Sequence, residues 1–451
     1  MNDRWYRDRW LWAALFVALA LRVVPPLVWG EGGCIRDECA YTSLAWDIYQ
    51  GEGLQPTDRW LWAPLYPYLL GLWRHLGTIA SFKRVQIGLS VATVAMVYGI
   101  TAQIGTRRAA RIAAWGLALH PTVAFFASRL WTETVFLFLL AGALSLALWA
   151  RRGPAWRGLL LGVARGLCAL TRGFGVWMAP VFLLALVWPS AEESFRRLPR
   201  WRTAALALVA TVLTVAPYSV SASRQHGGLV ISDATLGEVS YMGNNDFPLV
   251  TWDLGVGLAS ADSIARYIAV GRPRCDASLP IAAYNRCEVD HSVQWVREHP
   301  GAFLARVPQR WAHLLNPNSF LTRHVRLGLW PSVPWWLREL ITVWVLLTSA
   351  LVTWLGTVGL VARGKGPVAV LSAGLALYVF ATIGMLFGVS RFRLPLVLLW
   401  VPWTAVLLSS PRATWEALRA ERWRLGLAVV LLLALIPLVL WHASSGFPGR
   451  W

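Results

Sequence analysis

Charge is scarce in this chain. Only 14% of its 451 residues are Asp, Glu, Lys or Arg, against about 25% in an ordinary soluble domain. Lysine is almost missing: of the 42 basic residues, all but Lys83 and Lys365 are arginine. There are five cysteines, too few for a disulfide scaffold of this length. No Walker loop, dinucleotide fingerprint or HExxH zinc motif occurs. The eight histidines are scattered and no cysteine pair has zinc-finger spacing. A repeat of roughly 20 to 50 residues is also absent. Together these gaps exclude a nucleotide-binding domain, a zinc protease, a solenoid and a small stapled fold.

What the chain has instead is apolar surface. Hydrophobic residues make up 57% and the mean hydropathy is +0.50. A water-soluble fold could not hide that much, and a disordered chain would not carry it. The bilayer is the remaining solvent. The net charge of +19 does not signal nucleic acid. The arginines fall in short clusters between apolar runs, as the positive-inside rule predicts for cytoplasmic loops. The 29 tryptophans suit the headgroup interface. The expected fold class is therefore an all-α polytopic membrane protein.

Apolar runs bounded by charge, Gly or Pro predict spans at about 11–29, 84–104, 110–128, 132–150, 158–172, 174–189, 203–221, 339–361, 367–387, 394–410 and 425–442. Residues 61–80 are ambiguous, because Pro64 and Pro67 interrupt an apolar run that contains Arg74 and His75. Charge parity decides. If 61–80 does not span, all the basic clusters, from Arg4/Arg7/Arg9 to Arg412/Arg419/Arg422/Arg424, face the cytoplasm. That gives about eleven spans with an inside N-terminus. Residues 61–80 then lie on the outer surface, anchored by Trp60, Trp62, Tyr66, Tyr68 and Trp73. The first span is expected to be an uncleaved signal anchor that ends at Pro25 and Pro26. The organisation is a membrane module over 1–221 with an outside loop at 30–83, an α-rich outside segment over 222–338, and C-terminal spans over 339–451. Cys34, Cys39, Cys275 and Cys287 all fall outside, where disulfides can form.

Three stretches carry candidate chemistry. Asp37 and Glu38 follow the first span, and Asp37, Tyr41, Ala45 and Tyr49 recur every four residues. A helix is expected to open near 37 and stop at Gly51 and Gly53. A carboxylate there suits a general base for a sugar hydroxyl, or simply offsets the helix dipole. Arg129 and Glu133 sit at the outer end of two spans. Ionisable groups at membrane depth are costly and so point to function, although the two could pair on one helical face. Arg391 and Arg393 stand in an outside loop against the positive-inside trend. Their guanidinium forks suit phosphate, or a lipid headgroup. Arg22 and Arg172 pose the same question.

The order of short motifs resembles a family. It runs through Arg22, Asp37-Glu38 with Tyr41, Gly51-Glu52-Gly53, Ala63-Pro64-Leu65-Tyr66-Pro67, Arg84, His120-Pro121, Arg129 with Glu133, and Leu170-Thr171-Arg172. It continues with Gly243-Asn244-Asn245, His299-Pro300 and Arg391-Phe392-Arg393-Leu394-Pro395. This resembles the GT-C superfamily of integral-membrane glycosyltransferases. It is most similar to the family 39-like group of protein mannosyltransferases and the lipid A aminoarabinose transferase. The resemblance implies a sugar carried on polyprenyl phosphate, moved to an extracytoplasmic lipid, glycan or protein acceptor, usually with inversion. Asp37, with Glu38 beside it, would supply the catalytic carboxylate. Glu133, Tyr41 and Arg129 would position the acceptor. Arg391, Arg393, Arg22 and Arg172 would hold the donor phosphate. No metal or other cofactor is required, although a divalent cation between carboxylate and phosphate is compatible. The membrane would be the bacterial inner membrane, with the site on its outer side. The loop after the eighth expected span is only Arg-Gly-Lys-Gly, so no counterpart of the soluble domains of eukaryotic protein mannosyltransferases is expected, which disfavours a protein acceptor. The competing class is a transporter or lipid-linked-sugar flippase. Against it, the ionisable groups gather at one face, and paired broken helices are not evident.

Overall fold

The computed structural model describes residues 5–30, 34, 37–57, 60–189, 200–246, 275–317, 320–326 and 333–444. Arg4, Arg196, Arg197 and much of the expected outer segment, including 247–274, lie outside these residues. The described residues contain helices and two isolated bridges, and no strand.

The described residues of the first half form ten α-helices. They are α1 (Arg9–Trp29), α2 (Asp37–Tyr49), α3 (Leu65–Trp73), α4 (Phe82–Ile104) and α5 (Arg107–Ala118). Next come α6 (Pro121–Ala127), α7 (Glu133–Ala150), α8 (Arg157–Thr171), α9 (Ala179–Val187) and α10 (Arg200–Gln225). The second half holds α11 (Leu236–Gly243), α12 (Ile281–Glu298), α13 (Pro300–Leu315), α14 (Phe320–Arg326) and α15 (Trp335–Arg363). It closes with α16 (Gly366–Met385), α17 (Leu394–Ser409), α18 (Pro411–Ala420) and α19 (Arg422–Ser444).

Among the described residues, eight helical segments are long and apolar enough to cross a membrane, and each matches an expected span. The three other expected spans are shorter or broken. Residues 110–128 split at His120, whose ring caps α6 through Val123 N–H at 3.4 Å. The break is forced by Pro121, which cannot continue the ladder. Helix α8 has 15 residues, and 174–189 is a 3-10 turn, Gly173–Met178, followed by the nine-residue α9. One expectation is corrected outright: α1 runs through Pro25 and Pro26 to Trp29 and ends at Gly30, where φ is +77°. Prolines near a helix end free only a few carbonyls, which neighbouring groups can satisfy.

The loop 61–80 is short helix and 3-10 turn, as expected, with α3 packed on α2. Of its five expected anchors, Tyr68 is exposed, Trp60, Trp62 and Trp73 are half-buried, and Tyr66 is fully buried. The Tyr66 hydroxyl donates to Gln86 Oε1 at 2.5 Å. Trp60 and Trp62 line a cavity. Both disulfides are formed, Cys34–Cys39 and Cys275–Cys287.

The bundle core is α17, buried without interruption from Leu394 to Val406. A helix apolar on every side can only sit among other helices, and α17 packs on α5 and α15. Small residues set the closest approaches. Gly158, Gly162 and Gly166 form one stripe of α8 against α10, where a Cβ at Gly162 would lie 2.3 Å from Ala207 O. Gly356 and Gly359 of α15 meet Trp400 and Trp403 of α17 in the same way.

At one end of the bundle, Asp8 caps α1 and is buried against Arg107 and Arg111 at 3.0 and 2.9 Å. At that same end Arg424 of α19 donates to the last carbonyls of α15, Val361 and Ala362, at 3.1 Å each. The carboxylates of α2 and α7 lie at the other end.

Two glycine substitutions separate packing from propensity. Gly162→Val should force α8 from α10 and lower the unfolding midpoint in detergent, at a cost of about 1–3 kcal/mol or more. Gly142→Ala meets nothing within 4 Å and should be neutral or stabilising by up to about 1 kcal/mol.

Candidate active site

The candidate site is a cavity of about 340 Å³ lined by residues from both halves of the chain. Two carboxylates enter it from helix starts, where the dipole favours negative charge. Asp37 is the first residue of α2, and Glu133 the first of α7. Two arginines enter from turns. Arg172 stands between α8 and the following 3-10 turn, and Arg391 is in the 3-10 turn Ser390–Arg393 that opens α17.

These four charges alternate in a chain. Arg391 donates to Asp37 Oδ2, and its Nε lies 3.9 Å from Glu133 Oε1. Arg172 donates to the same Glu133 oxygen at 2.7 Å. The Arg391 guanidinium also lies over Trp131 and Phe392, at 5.1 and 5.4 Å from their ring centres. Arg172 lies 5.3 Å from the centre of Phe392. Flat guanidinium groups held on aromatic faces keep their hydrogen-bonding edges free for anions. The strap that carries Arg172 is fixed from below by Arg165, buried in α8, which donates to Gly175 O at 3.2 Å.

Tyr41, one turn after Asp37, also lines the cavity and packs edge-on against Trp62 and Tyr66, at 5.0 Å each. Burial and the neighbouring Asp37 push its phenol well above the ordinary value of 10. It therefore stays protonated and can donate a hydrogen bond.

The remaining sequence candidates stand elsewhere. Glu38 is not at the cavity: it is buried, takes a hydrogen bond from Arg129, and accepts Leu130 N–H at 3.0 Å. Arg129 donates to Glu38, and the alternative of a helical pair with Glu133 does not arise, because residues 128–132 are not helical. Arg22 is fully buried, bound to Ser90 Oγ at 2.7 Å and to Ala18 and Ala118 carbonyls at 2.8 and 3.2 Å. It ties α1, α4 and α5 together. Arg393 is turned to Leu315 O, Asn316 O and Ser349 Oγ, at 3.0, 2.5 and 3.0 Å. Of the four arginines expected at the phosphate, Arg391 and Arg172 reach the cavity, while Arg22 and Arg393 do not line it. Of the two adjacent acids, Asp37 lines it and Glu38 does not.

One cavity residue was not anticipated. Asp233 enters from the segment after α10, accepts Gly173 N–H at 3.1 Å, and forms no ion pair among the described residues. Burial raises its carboxyl to about 6, against the opposing pull of Gly173, Thr235 and Arg172. A lone acid two residues after a short apolar run, Leu229–Ile231, is too weak a signal to find from sequence.

The donor set bears on a metal. Among the described residues, the group that could chelate one is Cys275, Cys287 and His291, and two of those are joined in a disulfide. At the cavity, Asp37 and Glu133 are each engaged by guanidinium. The set suits an anion, and no step below passes through a metal.

The Glu38–Arg129 pair is open to a double-mutant cycle. Glu38→Gln or Arg129→Gln alone breaks a buried ion pair, a loss of about 3–5 kcal/mol. The double variant should recover much of that in detergent unfolding, giving a coupling of the same sign.

No protein-family model matches the sequence, and no curated protein matches it. Solved structures do. The archaeal oligosaccharyltransferase AglB from Archaeoglobus fulgidus, in complex with an inhibitory peptide and a dolichol-phosphate, aligns with a TM-score of 0.53 at 16% identity. The alignment covers 97% of this chain and 55% of that one. The oligosaccharyltransferase of the same organism, tethered to an acceptor peptide with the NVT sequon, aligns with a TM-score of 0.53 at 15% identity, over 96% and 55%. The apo form gives 0.51 at 16% identity, over 96% and 55%. The chain spans about half the length of the structures it matches. The likeness is one of fold: an all-helical architecture over nearly the whole of this chain.

Proposed function

We propose that the protein is a glycosyltransferase that moves a sugar from a polyprenyl-phosphate donor to an extracytoplasmic acceptor. The observation that carries this reading is Arg391, bridging Asp37 and Glu133 in a cavity whose walls combine aromatic and aliphatic side chains, such as Phe136, Leu137, Phe174 and Phe387, with polar groups. A lipid-linked phosphodiester needs that combination: apolar walls for the chain, and cations for the phosphate. The match to a structure solved with a dolichol-phosphate supports the donor class.

We read the chain as crossing the membrane eleven times. The three short elements α5–α6, α8 and the turn with α9 would cross beside the eight long ones. The basic clusters then lie in the cytoplasm and the cavity opens on the outer side of a bacterial inner membrane.

The chemistry follows from the charges. The four-charge chain is neutral as a whole, so it can rest in a partly buried site. An entering phosphate competes with Asp37 for Arg391. Released from that pair, Asp37 becomes the base. The acceptor oxygen attacks the anomeric carbon as Asp37 takes its proton. The bond from that carbon to the phosphate oxygen breaks, and its electron pair leaves with the polyprenyl phosphate. Arg391 and Arg172 hold the charge that develops there. Displacement from the opposite face inverts the sugar. Glu133 keeps both guanidinium groups in place.

Mass spectrometry of envelope glycans and glycolipids tests this. A deletion strain should lose one sugar, and the strain carrying Asp37→Asn should lose the same one while the protein remains inserted. Full glycosylation by Asp37→Asn would sink the assignment. Arg391→Ala should raise the apparent donor KM by about 10-fold or more, the worth of a charged hydrogen bond. An unchanged donor KM would count against the phosphate role.

A further inference from the structure

We propose that Asp233 contacts the acceptor, that its carboxylate receives a hydrogen bond from a hydroxyl of a saccharide seated beside Trp60 and Trp62, and that the acceptor is therefore a carbohydrate. The proposal rests on the transferase reading above and names the substrate class of its second site.

The observations are geometric. Asp233, Trp60 and Trp62 line the same cavity as Asp37 and Arg391. They are held together as one wall. Ala234 N–H donates to Leu61 O at 2.9 Å, bridging the segment after α10 to the first loop. Trp60 Nε1 donates to Glu238, and Trp62 Nε1 donates to Thr57 Oγ1 at 2.7 Å. The two indoles lie 5.2 Å apart and tilted by 33°. With both N–H groups spent within the protein, what they offer a ligand is apolar ring surface, which suits the C–H face of a sugar ring.

Asp233 adds the polar element that such a wall needs. Its carboxylate rests on the backbone of Gly173, where a Cβ would fall 2.3 Å from Oδ2. Gly173 N–H and the Thr235 hydroxyl each donate to it, and a carboxylate has about four lone-pair sites, so acceptor capacity remains beside them. Unlike Asp37 and Glu133, Asp233 has no guanidinium donor among the described residues. A carboxylate so held can accept from a neutral hydroxyl without first breaking an ion pair. Its surroundings are Arg172 from the α8 turn, Tyr218 from α10, and Thr235 on its own strand of chain. Burial outweighs them and raises the carboxyl to about 6, so the accepting form prevails at neutral pH and is lost below about 6.

The test uses the full-length protein in detergent. Donor is the lipid extract of the deletion strain. Acceptor is the envelope fraction of that strain, with and without exhaustive protease treatment. Transfer should survive protease. Asp233→Asn should raise the apparent acceptor KM by about 10- to 100-fold, the worth of a hydrogen bond to a charged group, with donor KM and kcat near wild type. It should also lose the fall in kcat/KM below about pH 6. Gly173→Ala, which displaces the carboxylate without altering it, should reproduce the KM change. Retention of the thermal shift given by decaprenyl phosphate shows that each variant is folded with its phosphate site intact. Loss of transfer on protease treatment, or a wild-type acceptor KM in both variants, would overturn the proposal. An Asp37→Asn protein that still transfers would strike the catalytic reading alone and leave the Asp233 comparison readable.

Discussion

A charge inside a helical bundle must be met where it stands, by a counter-charge or by hydrogen bonds, because bulk water is not there to do it. The described site is arranged around that constraint. Arg391 sits between Asp37 and Glu133, and Glu133 also serves Arg172. Remove any one and the others are left unbalanced in aromatic surroundings. The same rule explains the neighbours. Glu38 could not be left beside Asp37 as a second free acid, so it is buried on Arg129 and on Leu130 N–H. That pair fixes the start of α2 to the turn before α7. The first loop is held to the bundle through the residue adjacent to the one that faces the cavity.

Position then depends on backbone approach. The arginine strap after α8 is placed by Arg165 below it and by the close α8–α10 contact beside it. Lipid tails are as apolar as leucine, so helices gain little from hiding apolar side chains and gain more from fitting together. The glycines at 158, 162 and 166 permit that fit. Gly173 serves the site directly, since any side chain there would occupy the space of the Asp233 carboxylate.

Much of this was legible in the sequence, and the limits have physical reasons. Long apolar runs mark spans because a bilayer demands them, and eight such runs are long apolar helices. The four-residue spacing from Asp37 to Tyr49, stopped by glycines, gave helix α2 at its observed bounds. Partners were not legible. Asp37 and Arg391 are 354 residues apart, and nothing local joins them. Nor could the sequence choose between Arg391 and Arg393. On a 3-10 turn, at three residues per turn, two positions apart point to different sides. One meets the cavity and the other the end of α13. Arg129 and Glu133 illustrate the opposite error: a spacing that suits a helical pair means nothing where the backbone is not helical.

The neutrality of the four-charge chain has a consequence for the proposed chemistry. If two arginines stood in the cavity without carboxylates, a lipid phosphate would bind tightly before transfer and just as tightly after it, because the leaving group is itself a phosphate. Binding both states equally adds nothing to turnover. With Asp37 and Glu133 already on the guanidinium groups, the phosphate must displace a carboxylate to bind. It can be displaced in turn once the sugar has gone. The exchange also links the base to the donor, since Asp37 is freed only when the phosphate has taken its place on Arg391. An acceptor hydroxyl therefore meets an active base only in the presence of the bond to be broken, which is what a transferase handling a reactive sugar in contact with water requires.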